Sequence, residues 1–363
     1  MKRILFLTPY PFDKAPSQRL KFEQYYNAFE EEGFQLVKNS FMSMDLWDIV
    51  YKKGSVFVKL YYTIIAYFRR WSSLFYVYQF DIVYIHLWGT PLGFPIYEWF
   101  LRKLSKKLIY DIDDMVFLGN ASSANSFISR IKGAGKMHFL MKYSNHVITC
   151  TPALDTYVKK FTSKTTDISS TVDTDTRYVF NQNRYEPKEK LIIGWSGSHS
   201  TSKYLYLLEN VLKKLSKEFQ FKFLVMGDKF FHIDGVDIEA IDWQESYEME
   251  VLNSFDIGLY PLPDEPWVYG KSGLKAIQYQ ALGIPVVASD IGANSRVVKD
   301  KETGFLVQWD SEQEWYDAIK KLITDNEMRK KLGTNARKFI VDNYSVSVTK
   351  YRYLEVFRDV ITK

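Results

Sequence analysis

Apolar runs of strand length recur along the chain, separated by segments whose apolar positions repeat at helical spacing. RILFLTP, DIVYIHL, KLIYDID and HVITC fall before residue 151, and LIIGWSG, KFLVMGD, DIGLYPL and PVVASD follow residue 190. Near-continuous apolar runs suit strands covered on both faces, and their alternation with amphipathic segments predicts βαβ units, parallel sheets and an α/β class. Between the two sets lies FNQNRYEPKEK, residues 180–190, which is polar, aperiodic and carries Pro187. That is the composition of a linker. The expected division is a first domain over 1–180, a linker over 181–190, a second domain over 191–343 and a C-terminal helix over 344–363.

Over TSKYLYLLENVLKKLSKE the pattern turns to a 3.6-residue period. Tyr204, Leu205, Leu208, Val211, Leu212 and Leu215 form one stripe, with Ser200 or Thr201 as N-cap. This predicts a helix over 201–218 packed on a sheet. Residues 311–362 hold two or three more helices, ending in VSVTKYRYLEVFRDVIT. No repeat of solenoid or propeller period occurs.

Composition changes this picture little. A chain of 363 residues, 46% apolar and 25% charged, reads as a soluble globular protein of two domains. One cysteine, Cys150, excludes an internal disulfide framework and a cysteine-rich zinc site. MKRILFLTPYPF is broken by Pro9 and Pro11 and lacks a small-residue cleavage site, so it is expected to be a buried strand rather than a leader. The longest candidate for a membrane span, VFVKLYYTIIAYF over 56–68, is short and contains Lys59.

Charge changes it more. Through Tyr185 there are 24 Lys/Arg against 16 Asp/Glu, a surplus of +8, while the remainder carries 24 against 27. The first half is the half expected to meet an anionic partner. Its basic residues are interleaved with apolar ones and form no nucleic-acid module, so no nucleic-acid partner is expected. Residues 41–80 mix many aromatics with Lys52, Lys53, Lys59, Arg69 and Arg70. Two readings compete: an interfacial helix at lipid headgroups, or aromatics packed on the first sheet. The expected location is the cytoplasm, with peripheral contact at the inner face of the membrane if the first reading holds.

Three segments carry candidate chemistry. In LIIGWSGSHST a strand enters a glycine turn, where Gly194 and Gly197 would let a backbone approach a pyrophosphate near a helix N-terminus. In VYGKSGLKAIQYQALGIPVVASD, Lys271 and Lys275 stand one helical turn apart beside Gly270 and Gly273. Two lysines at a helix N-terminus oppose the macrodipole unless an anion lies there, and a diphosphate would repay that repulsion. The third segment, IYDIDDMVF, sets Asp111, Asp113 and Asp114 after an apolar run. It admits a divalent metal on an Asp-x-Asp pair, a phosphohydrolase with Asp111 as nucleophile, or a polar turn in a transferase without metal.

Gly270 to Asp290, with FDIGLYPLPDEPW before it and NSRVVKDKETGFLVQW and DNEMRKKLGTNARKFIVDNYS after it, resembles the carboxyl-terminal signature of family 4 glycosyltransferases. DIVYIHLWGTPLG, YDIDD and HVITCTPALDTYV carry a looser likeness in the first domain. The resemblance implies retaining enzymes of the GT-B fold: two Rossmann-like doubly wound domains facing a cleft, with the C-terminal helix returning to the first. It further implies a nucleotide-diphosphate sugar on the second domain and a glycan or lipid-linked acceptor on the first, in bacterial-type capsule or lipopolysaccharide assembly. The family's Glu-x7-Glu motif falls here on Gly270 and Gln278, and its glycine-turn arginine is replaced by Trp195 and Ser196. The chain thus looks like the branch reading GKxGxK.

On that resemblance the diphosphate is assigned to Lys271, Lys275 and the amides of Ser196, Gly197 and Ser198. Gln278 is assigned to the ribose, and Trp243 either stacks on the base or is a core residue. Ser17, Gln18, Arg19 and His86 fall on the acceptor side, with Asp13 or Ser17 as an alternative helix cap, and His199 reads as a loop residue. Two lysines make a metal redundant, so neither metal nor cofactor is expected. Asp113 takes the position of the family's histidine and, with Asp111, is the expected catalytic pair, stabilising positive charge at the anomeric carbon. Alternatives are a solvated turn at these Asp residues, a phosphohydrolase, or an inactive nucleotide-sugar-binding protein.

Overall fold

The computed structural model describes residues 1–50, 52, 54–115, 117 and 134–363. They form two compact α/β units: Met1–Ser170 with Thr349–Lys363, and Thr171–Val348.

The first unit is built on β1 (Lys2–Thr8), β2 (Phe34–Ser40), β3 (Ile82–His86), β4 (Leu108–Asp111), β5 (His146–Thr149) and β6 (Thr165–Asp167). They lie in the order β2-β1-β3-β4-β5-β6, every pair parallel. Ile4, Leu5, Phe6 and Leu7 are wholly buried, as a strand with neighbours on both sides and helices on both faces requires. The order reverses between β1 and β3, so a crevice opens at their carboxyl ends, beside Thr8 and His86.

The second unit repeats the plan with β7 (Leu191–Ser196), β8 (Phe221–Met226), β9 (Ile238–Ile241), β10 (Ile257–Tyr260), β11 (Val286–Ser289) and β12 (Gly304–Val307). Their order is β12-β11-β10-β7-β8-β9, again all parallel. Here the switch lies between β7 and β10.

Differences from the sequence reading have local causes. The second unit begins at Thr171 because Val172 and Tyr178 are buried in its core, and Val172 bridges to Ser345. The expected linker is partly ordered: Gln182–Tyr185 is a 3-10 turn whose Arg184 donates to the Phe255 carbonyl at 2.9 Å. The helix expected over 201–218 is three pieces. Ser198 and Thr201 form a reciprocal capping box that starts a helix at His199–Ser202, followed by a 3-10 segment Lys203–Leu208 and a helix Glu209–Glu218. The apolar stripe survives, with Leu205, Leu208, Val211, Leu212 and Leu215 buried.

Three helices close the chain: Glu312–Thr324, Asn326–Tyr344 and Val346–Thr362. From Thr349 onward the last belongs to the first unit. Its Tyr353 packs on Tyr25 at 5.0 Å between ring centres and donates to the Lys21 carbonyl at 3.2 Å, while Phe357 meets Phe29 at 5.0 Å.

Candidate functional site

In the first unit, parallel pairing sets His86, the last residue of β3, opposite Asp111, the last of β4. Beneath them lies Lys21, which is fully buried. Its Nζ is 3.2 Å from Asp111 Oδ1 and donates to the carbonyls of Thr149 and Ile168 at 3.0 and 2.9 Å. Burial is the largest single influence and works against this ammonium, but Asp111 together with the neighbouring Cys150 and Asp113 leaves the Lys21 pKa raised. Tyr84 donates its hydroxyl to the other Asp111 oxygen.

Above this pair His86 lies between two carboxyl groups, its Nδ1 3.8 Å from Asp111 Oδ2 and its Nε2 3.9 Å from Asp113 Oδ1. Neither nitrogen reaches a hydrogen-bond partner among the described residues. Burial lowers the His86 pKa, with Asp113 and Asp111 opposing it, so the ring favours its neutral form. Asp113 is the outermost member, 13% exposed at its side chain, and its carbonyl accepts from Cys150 Sγ at 2.8 Å. Burial raises its pKa too, despite His86. The result is a column running from Lys21 through Asp111 and His86 to Asp113, whose last carboxyl group reaches solvent.

This placement separates the two expected catalytic carboxylates. Asp111 is wholly buried and joined to Lys21 and Tyr84, so it supports the column from below. Lys21 escaped the sequence reading because one lysine among aromatics in RLKFEQYY carries no mark that separates it from a surface lysine.

The loop after β1 is held by Gln18. Its side chain accepts from Tyr10 N at 2.9 Å and donates to the Tyr10 carbonyl and to Glu23 Oε1 at 3.1 and 2.8 Å. Gln18 therefore shapes the loop; Arg19 is 5% exposed, and Ser17 is half-buried beside them. The Pro16–Arg19 helix has Ala15 as N-cap and no side-chain cap, so the alternative in which Asp13 or Ser17 caps it is not met.

In the second unit the turn after β7 differs in use from the one expected. Ser196 N donates to Tyr279 Oη at 2.7 Å, Gly197 N to the Met226 carbonyl at 2.8 Å, and Ser198 N to Thr201 Oγ1 at 3.2 Å. All three amides assigned to a diphosphate are thus engaged within the protein. Gly194 makes room for the Phe255 ring and Gly197 for Trp195. Gly227, after β8, has φ +116°, and a Cβ there would collide with the Gly197 carbonyl, so two turns meet backbone to backbone.

Lys271 and Lys275 flank Gly273, whose φ of +76° opens the Leu274–Ala281 helix without any side-chain cap. Lys275 is half-buried, with its Nζ 5.6 Å from the Trp195 ring centre, and Lys271 lies at the same distance from Trp267. Burial lowers the Lys275 pKa to about 8, Glu248 opposing and Lys271 reinforcing the shift. Gln278 lies in the core at 5% exposed, its amide donating to Tyr178 Oη at 2.6 Å, so a ribose would have to compete with that tyrosine. Trp243, 38% exposed after β9, donates to Glu248 Oε1 at 3.1 Å, which places it at the surface and not in the core. His199, also exposed, lies 3.0 Å from Asp228 Oδ1.

Residues 190–325, which hold β7 through β12, match the family described as Glycosyl transferases group 1. Across the whole chain, the structure is similar to sucrose-phosphate synthase from Thermosynechococcus elongatus, with a TM-score of 0.74 at 15% identity and all of both chains covered. It is also similar to Anabaena Alr3699/HepE solved with UDP and glucose, with a TM-score of 0.68 at 14% identity over 99% of this chain and 100% of that one. These likenesses define the class: two parallel-sheet α/β units of the GT-B fold.

In sequence, a D-inositol 3-phosphate glycosyltransferase from Paenarthrobacter aurescens is 29% identical over 34% of this chain and 27% of its own length. The capsular polysaccharide biosynthesis glycosyltransferase CapM of Staphylococcus aureus is 24% identical over 47% of this chain and 48% of its own. The chain thus spans less than half of either curated relative.

Proposed function

We propose that the chain is a glycosyltransferase moving a hexosyl or related sugar from a nucleotide-diphosphate sugar to a hydroxyl of a glycan or lipid-linked acceptor, with retention and without a metal, in surface polysaccharide assembly. One observation carries this reading: Lys271 and Lys275 flank an uncapped helix start inside the segment that matches the glycosyltransferase family. The UDP-glucose complex of Alr3699/HepE supports the donor class, and the capsular name of CapM supports the product class.

The diphosphate charge then falls on the two lysines and on the free end of that helix, since the amides of 196–198 are taken. As the sugar–phosphate bond breaks, the cations stabilise the leaving diphosphate, which accepts the proton of the attacking hydroxyl on the same face. Asp113 of the first unit is the group that the family resemblance assigns to the positive charge developing at the anomeric carbon. His86 and the Lys21–Asp111 pair position it. No protein nucleophile is required. The phosphohydrolase alternative loses support because Asp111, its would-be nucleophile, is sealed beneath the surface. The same burial argues against one ion held by Asp111 and Asp113 together.

The reading is tested by incubating the purified chain with UDP-, GDP- and ADP-sugars and a polyprenyl-diphosphate-linked glycan in EDTA. Release of nucleoside diphosphate with transfer of an α-configured sugar from an α-linked donor is expected. Nucleotide binding without turnover in any combination would instead identify an inactive sugar-nucleotide binder, and activity abolished by EDTA would restore the metal.

A further inference from the structure

Two helices of the first unit face outward with the wrong side. On Val56–Ser72 the residues that repeat at helical spacing, Phe57, Tyr61, Ile64, Ile65 and Phe68, are exposed, Phe57 at 87% and Phe68 at 74%. The side turned inward holds Ala66 and Arg70, and Arg70 donates to the Thr8 carbonyl at 2.6 Å. Ile96–Leu104 repeats the inversion. It exposes Ile96, Trp99, Phe100 and Leu104 and buries Tyr97, Glu98 and Leu101. An ordinary surface helix places its apolar stripe inward and its carboxylates outward.

The two stripes are continuous. Trp71, at the end of the first helix, lies 6.2 Å from Phe100 and 5.7 Å from Tyr97 between ring centres, and Tyr67 Oη accepts from Leu92 N at 3.2 Å. Exposed apolar side chains gathered on this scale mark an interaction surface.

Charge selects the partner. From residue 52 to residue 107 the only acidic residues are Asp81 and Glu98. Glu98 is buried near Lys136, and Asp81 lies within 3.8 Å of both Lys2 and Lys106. In sequence, the next acidic residues before this stretch are Asp45 and Asp48 on the Met44–Val50 helix. Lys52, Arg69, Lys103 and Lys106 are exposed along the same stretch. A groove of about 420 Å³ adjoins the second stripe, lined by Trp99, Arg102, Lys103, Phe139 and Tyr143, so that cations and aromatic rings share one recess. No helix among the described residues is long and apolar enough to cross a membrane.

We propose that the face formed by Val56–Ser72 and Ile96–Leu104 docks in the plane of an anionic lipid bilayer, its aromatic and aliphatic tips entering the acyl boundary and its lysines and arginines meeting lipid phosphates. This does not depend on the transfer reaction, because it is measured without donor or acceptor.

The test is co-sedimentation of the full chain with vesicles of phosphatidylcholine alone or with roughly a third phosphatidylglycerol, beside Phe57→Glu/Phe68→Glu and Trp99→Glu variants. Binding about tenfold tighter to the anionic vesicles is expected, weakening with salt and falling about tenfold or more in the variants. Circular dichroism and thermal unfolding should be unchanged, since these side chains are exposed. In the wild-type chain, brominated lipids should quench tryptophan fluorescence. Equal sedimentation of wild type and variants, or none with either vesicle, overturns the proposal. So does a wild-type dimer that the double variant converts to monomer without any vesicle binding, which would make this face a contact between copies of the chain.

Discussion

Burial pushes both Asp113 and Lys275 toward their uncharged forms, and a ligand that reverses the shift gains by doing so. For Lys275 the direction in pH follows. Below pH 8 the free protein holds the ammonium that a diphosphate needs; above it, binding must also take up a proton. Affinity for a nucleoside diphosphate should therefore fall above pH 8, approaching about tenfold per pH unit, and Lys275→Ala should abolish that slope in a calorimetric titration. Asp113→Asn keeps the shape of the column but removes its outermost charge. It should lower kcat by about 100-fold or more while leaving donor affinity near wild type, and a variant that loses only donor binding would remove Asp113 from the reaction.

Glu23 gives a stability prediction of the same kind. Burial raises its pKa to about 7, although the Asp13 amide and Gln18 donate to it. The folded state thus binds the proton more tightly than the unfolded state. Its favourable contribution is complete below about pH 4.5 and is lost as pH rises through 7. Between those limits the wild type should lose up to roughly 3 kcal/mol relative to Glu23→Gln, as measured by denaturant unfolding at several pH values. None of this was legible in the sequence. The carboxylates of YDIDD stand out, but their depth is set by the register of β3 against β4 and by a lysine some ninety residues earlier, about which local pattern is silent.

At the scale of elements the sequence was far more explicit. The eight apolar runs named from periodicity are the eight interior strands, and the four strands outside that set, β2, β6, β9 and β12, are the four sheet edges. An edge strand has one neighbour and more solvent, so FQLVKNS and TTD tolerate polar residues that erase the signal. The broken helix after β7 was unreadable for a different reason: its hydrophobic stripe tolerates a 3-10 segment as well as an α-helix. Turn packing supplies the prediction at this scale. Gly227→Ala combines a left-handed φ with a collision against the Gly197 carbonyl. It should cost about 2 kcal/mol or more in denaturant unfolding and weaken nucleotide binding together with stability.

At the scale of the whole molecule, two units with separate cores should not unfold as one two-state system. Calorimetry is expected to resolve two transitions. A nucleoside diphosphate at about 100 times its Kd should raise only the transition of the second unit, by about 2.7 kcal/mol of stabilisation. Phe357→Ala, which removes a wholly buried ring from against Phe29 and Phe34, should lower only that of the first, by about 3–5 kcal/mol. Movement of both transitions by either perturbation would show that the units are thermodynamically coupled.

The helix that completes the first unit is encoded after the entire second one, and this has a consequence for biosynthesis. A ribosome delivers Tyr25, Phe29 and Phe34 early, but Tyr353 and Phe357, which cover them, emerge only after every strand of the other unit. The first-made half must wait, with aromatic surface uncovered, for the last-made helix. The second unit needs no such late partner. A chain terminated just after Val348 would therefore carry a finished second unit and an unfinished first one, and the first is the part a chaperone or protease would recognise first.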